Sequence, residues 1–133
     1  MKAEDKKSTE LPLWTATYRL LEQVDFMLTT FTRDRRHTLG QRIYDTTLNM
    51  FADLQEASDF PEYREQALRH YLGQYAILQT LLKLSNEHHY MKQESYLALA
   101  RPMASIERQA NGWLRSTIKP ESVAQTIRES DLN

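Results

Sequence analysis

Arg33, Arg35, Arg36 and Arg42 place four guanidinium groups within ten residues, with Asp34 as the acid among them. A guanidinium is planar, permanently charged and donates paired hydrogen bonds that match the edge of a phosphate or carboxylate. The chemistry on offer is electrostatic capture of a phosphate-bearing partner, such as a nucleic-acid backbone. On a regular helix Arg35 and Arg42, seven positions apart, share a face, and Arg36 lies about 100° round from Arg35. The competing use is internal: the same arginines capping the carbonyls of a preceding helix, or pairing with Asp45 or Glu22. Arg101, Arg108 and Arg115 recur at intervals of seven, which on a helix is a rise of about 10 Å per step. Such a stripe could track a phosphate backbone, though the ordinary reading of a spaced triplet is a solvated helix face.

Other chemistries find less support. The chain has no cysteine, which removes thiolate metal sites, disulfides and cysteine nucleophiles and fits a reducing compartment. His37, His70, His88 and His89 do not fall in Glu-x-x-His or His-Glu-x-x-His spacing, so no metal or cofactor is expected. No carboxylate pair or nucleophile–base set stands out, so no catalytic residue is named and the chain reads as a non-enzyme. Gly40, Gly73 and Gly112 lie inside helical patterns without the glycine pairing or the following Lys-Ser/Thr of a phosphate loop, and are read as points of close helix packing. Among the tyrosines, Tyr71, Tyr75 and Tyr96 fall on apolar seams, which leaves Tyr90, near a connection, as a ring available for stacking a base.

The elements that would position these groups are helices. At 133 residues, 41% hydrophobic and 26% charged, with 3 Gly and 4 Pro, the composition describes one helix-rich domain. The net charge of -1 argues against a generic basic coat, so any nucleic-acid binding must come from local asymmetry. No apolar run reaches the ~18 residues of a membrane span, and the lysine- and acid-rich start has no apolar core, so a cytoplasmic protein is expected.

Four segments repeat an apolar residue every three or four positions, the mark of helices that bury one stripe. The first, over 13–31, carries Thr17, Leu20, Val24, Leu28 and Phe31, with Pro12 in its first turn. The second, over 33–57, carries Leu39, Ile43, Thr47, Met50, Leu54 and Ala57, with Thr32 as N-cap and Asp34 at the positive end of the helix. Pro61 ends the connection and opens a third helix to about residue 85, with Leu68, Tyr71, Tyr75, Leu78, Leu82 and Ser85 on its seam. The fourth carries Tyr96, Leu99, Met103, Ile106, Ala110, Trp113 and Thr117, with a bend expected near Ala98 because Pro102 lacks an N–H. Connections this short predict an all-α, antiparallel up-down-up-down four-helix bundle over 12–118. Residues 1–11 and 119–133 are expected as flexible tails.

The stretch from Phe31 to Ile43, Phe-Thr-Arg-Asp-Arg-Arg-His-Thr-Leu-Gly-Gln-Arg-Ile, resembles the start of the second helix in the accessory variability determinant (Avd) family of diversity-generating retroelements. It departs from that pattern at Thr32, where proline is usual, and at His37, where an aromatic is usual. Asn111-Gly112-Trp113-Leu114 is similar to the family's Gly-Gly-Trp-Leu, with Asn111 replacing the first glycine. The likeness spans roughly residues 18–117. It implies a four-helix subunit assembled as a homopentamer, binding a reverse transcriptase and template RNA in support of mutagenic retrohoming. The related four-helix proteins of 23S ribosomal RNA intervening sequences imply the alternative of a protein–protein adaptor.

Overall fold

The apolar repeats form four helices among residues 2–118, which the computed structural model describes with side chains from residue 12 onward; no strand occurs among them. Helix α1 is Lys2–Leu28. Helix α2 opens as Arg33–Arg35, widens to π-helical geometry over Arg36–Gly40, and continues regularly as Gln41–Asp59. Helix α3 begins with a 3-10 turn, Pro61–Tyr63, and runs on as Arg64–Glu87. Helix α4 comprises Gln93–Ala98 and Ala100–Thr117. The expected tail at 119–133 lies outside the described residues.

Helix α1 starts well ahead of residue 13 and holds Pro12 in its interior rather than in its first turn. The upstream residues are mostly Lys, Ala and Glu, which favour a helix through backbone propensity without showing an apolar rhythm. The interruption of α4 falls where expected. Pro102 offers no N–H to the Ala98 carbonyl, the Leu99 amide bonds the Tyr96 carbonyl instead at 3.1 Å, and regular bonding resumes from Met103 to Leu99.

Helix α1 packs on α2 and α4, and α3 packs on α2 and α4, around one core. Leu20, Val24, Ile43, Met50, Leu68, Leu78, Leu82, Leu99 and Ile106 are buried at its centre. Buried hydroxyls are satisfied within their own helices: Thr46 donates to the Arg42 carbonyl, Thr47 to Ile43 and Ser85 to Leu81, each at 2.7–2.8 Å. Thr17 donates to the Leu13 carbonyl at 2.7 Å. Its one proton is thereby committed, so the fully buried Tyr71 donates its own to Thr17, also at 2.7 Å, joining α1 to α3 across the core.

The α3–α4 connection closes in a Schellman arrangement, with the Tyr90 amide on the Ser85 carbonyl at 2.8 Å and the His89 amide on Asn86 at 3.1 Å. It requires left-handed backbone at His89, where φ is 60°, a conformation that glycine adopts without steric cost. Thr32 has the extended backbone of an N-cap, but its hydroxyl makes no capping hydrogen bond.

Of the three glycines, Gly40 alone marks a close crossing. A Cβ there would stand 3.1 Å from Leu28 Cδ2 and 3.3 Å from the Arg35 carbonyl oxygen. A Cβ on Gly73 would meet nothing within 4 Å, and one on Gly112 only the end of Arg115 at 4.0 Å. The packing role expected of Gly73 and Gly112 is therefore corrected. Because glycine in an exposed helix interior is less favourable than alanine by about 1 kcal/mol, Gly73→Ala is expected to raise unfolding stability by about that amount. Urea denaturation followed by circular dichroism measures it.

Candidate nucleic-acid interface

All seven candidate arginines, Arg33, Arg35, Arg36, Arg42, Arg101, Arg108 and Arg115, are exposed. The internal carboxylates that might have claimed them are engaged elsewhere: Glu22 bonds Arg19 at 2.8 Å and Asp45 bonds Gln41 at 2.9 Å. Among the described residues the side chains of Arg33, Arg42, Arg101, Arg108 and Arg115 make no hydrogen bond or ion pair, which leaves their N–H donors to solvent or to a ligand.

The π-helical segment separates Arg42 from the three earlier arginines. A π turn holds more residues than an α turn, so the angular advance between Arg35 and Arg42 falls short of that of a regular helix. The shared face expected for these two is therefore corrected. Arg42 lines a groove between α2 and α3 with Asn49, Gln74 and Ile77. Arg36 lines one between α1 and α2 with Asp25, Thr29 and Tyr44, and donates to the Phe31 carbonyl at 3.2 Å. In Arg36 the capping role is real, and it holds the guanidinium against the α1–α2 connection. Arg35 turns to the α3–α4 connection, where its guanidinium carbon lies 4.2 Å from the centre of the Tyr90 ring.

Arg101, Arg108 and Arg115 all fall in the regular part of α4. Arg101 lines a groove of about 660 Å³ between α1 and α4, together with Arg19, Gln23, Pro102, Ser105 and Gln109. Arg64 behaves differently. It donates to the Ala57 carbonyl at 2.7 Å, closing the end of α2, and lies 5.4 Å from the Trp113 ring.

Two groupings escaped sequence reasoning. One is the contact of Arg35 with Tyr90, which joins two connections remote in sequence; its one clue was that Tyr90 stands off the seams. The other is Asp53, 7% exposed on α2, whose carboxylate oxygens lie 2.8 and 2.9 Å from Nδ1 of the exposed His70 on α3. Asp53 occupies a polar position beside the seam residue Leu54, and no motif signals its partner. Among the described residues no group of three or more His, Asp or Glu is placed to hold a metal ion.

Comparison with known proteins finds no family model that matches the chain and no matching curated protein.

Burial pushes the Asp53 carboxyl above its ordinary value, against the lowering effect of the His70 hydrogen bond and charge, and Glu56 adds to the rise. A carboxyl raised on folding favours the native state while protonated, so its contribution is full below the ordinary carboxylate range and is lost as pH rises through the raised value. Asp53→Asn keeps an acceptor for His70 and never ionises. Its stability relative to the parent is expected to be higher at about pH 8 than at about pH 3; urea unfolding of both proteins at the two pH values gives the difference, and an unchanged or reversed difference contradicts the assignment.

Proposed function

We propose that this chain is a non-enzymatic accessory protein of a diversity-generating retroelement, cytoplasmic and acting with a reverse transcriptase and its template RNA in mutagenic retrohoming. The resemblance of residues 31–43 and 111–114 to the Avd family supplies the biological setting. The observation that carries the physical part is the set of exposed arginines without carboxylate partners among the described residues. Charge presented in this way is suited to phosphate, whereas exposed arginines already paired to acids add little to binding or stability. No helix among the described residues is long and apolar enough to cross a membrane.

In this reading the helices run antiparallel, up-down-up-down. The contact of Arg35 with Tyr90 at one end and of Arg64 with Trp113 at the other supports that sense. The assembly is a homopentamer of the 15.7 kDa chain. Apolar side chains left exposed on a single chain support assembly. Trp14 and Tyr18 stack at 5.3 Å, Phe51 meets Trp14 edge-on at 5.7 Å, and Leu48 and Ile77 border the neighbouring groove. A patch of this kind marks a protein contact. It also favours a second reading, a protein–protein adaptor of the intervening-sequence type, in which association is insensitive to salt and RNA is not bound.

Replacing Arg33, Arg35, Arg36 and Arg42 together with glutamate is expected to weaken RNA affinity by a factor of ten or more, roughly, and to flatten its dependence on salt. Helicity by circular dichroism and oligomer mass by light scattering should stay as in the parent. RNA binding that survives the quadruple substitution removes these residues from the interface, and a parent that binds no RNA favours the adaptor.

A further inference from the structure

At one end of the bundle Arg35, in the first turn of α2, reaches Tyr90 in the connection 88–92. Tyr90 is half-buried and packed against the core, and the Schellman hydrogen bonds fix the backbone that carries it. The guanidinium above its ring is exposed, and its side chain makes no hydrogen bond or ion pair among the described residues. A guanidinium set over an aromatic ring is held in place with its N–H donors still open to a partner. His88 extends the surface, its exposed ring 5.6 Å from Tyr90 and inclined by 32°. Arg33 and Arg36, both exposed, stand in the same first turns of α2 as Arg35, and Arg36 is held by the Phe31 carbonyl at 3.2 Å.

We infer that this end of the bundle binds an unpaired nucleotide of a single-stranded nucleic acid, with the base stacked on the surface formed by Arg35, Tyr90 and His88 and the adjoining phosphates held by Arg33 and Arg36. The inference rests on the nucleic-acid reading above and adds to it the strand state that is recognised. A double helix would need charge alone, because its bases already stack on one another and offer no free face. Ring and guanidinium groups with phosphate donors at the same helix end are suited to a base that is unpaired. An acidic peptide would engage the guanidinium edges and gain nothing from the ring faces.

The test compares a labelled oligouridylate, an oligothymidylate of the same length, a blunt duplex and an acidic peptide by fluorescence anisotropy on the full chain. Single strands are expected to bind more tightly than the duplex or the peptide. Arg35→Lys keeps the charge and removes the planar face; Tyr90→Leu removes the ring. Each should weaken single-strand binding about five- to tenfold while leaving duplex binding and the salt dependence unchanged. Tyr90→Phe keeps the ring and should bind as the parent does, so the comparison with Arg35→Lys stands even if Tyr90→Leu fails to fold. Tighter binding of the oligouridylate identifies RNA as the source of the strand, and tighter binding of the oligothymidylate identifies DNA. Parent-like binding by Arg35→Lys, or a duplex or peptide bound as tightly as a single strand, overturns the platform alone. A parent that binds no nucleic acid overturns the nucleic-acid reading with it.

Discussion

Tyr71 is the residue on which the arrangement of the helices turns. Its ring is fully buried, and a phenol removed from water must find a partner for its hydroxyl, since an unpaired one costs about 1–3 kcal/mol. Thr17 is that partner, and because its own proton goes to Leu13 it can only accept. A bond of 2.7 Å between two hydroxyls tolerates little sliding, so α1 and α3 have one axial register. Tyr75, bonded to Glu107 at 2.7 Å and to the Met103 carbonyl at 3.2 Å, sets α3 against α4 in the same way. Burial pushes the Tyr75 hydroxyl well above its ordinary pKa, and its bond to Glu107 pushes it further, so both core phenols remain donors. Asp53 and His70 tie α2 to α3. With the registers fixed, the ends meet as they do: Arg35 on Tyr90, and Arg64 on Trp113.

The stripes were legible in the sequence because burial leaves a periodic trace. Leu68, Tyr71, Tyr75, Leu78, Leu82 and Ser85, read as one seam, are all buried. The π-helical turn was not legible, because a change in residues per turn leaves no mark in residue type; Arg36 to Gly40 contain no proline, and Gly40 signals a close crossing as readily as a widened turn. That one local departure redirected Arg35 and Arg42 to different parts of the surface. The role of Gly73 was misread for a related reason. Its helical position was evident, but whether a neighbour crosses there depends on packing that no short window of sequence contains. The pairing of Asp53 with His70 lies beyond a motif reading because its members sit on different helices.

A chain with net charge -1 can still present a basic surface, because what matters is which charges are locally neutralised. Several acids have cationic partners: Glu22 pairs with Arg19, Glu65 with Arg69 and Glu87 with Lys83. These exposed pairs contribute little to stability, but each keeps a carboxylate close to its own helix or its neighbour. The candidate arginines lack such partners. Their guanidinium groups therefore remain open to solvent, where charges interact over the Debye length of about 8 Å at physiological ionic strength.

The arginines also differ in how far folding has already ordered them. The side chains of the α4 stripe make no hydrogen bond or ion pair among the described residues, and immobilising a long side chain on binding loses roughly 2 kcal/mol of rotamer freedom. Such groups attract a polyanion but discriminate poorly between partners of similar charge. Arg36, bonded to a backbone carbonyl, and Arg35, lying on a ring that the core holds in place, have lost much of that freedom in the folded chain. Both stand at the same end of the bundle because they are neighbours in the first turns of α2. In the function we propose, stripe and platform divide the work, with long-range attraction from the free arginines of α4 and geometric selection by the arginines that folding has positioned.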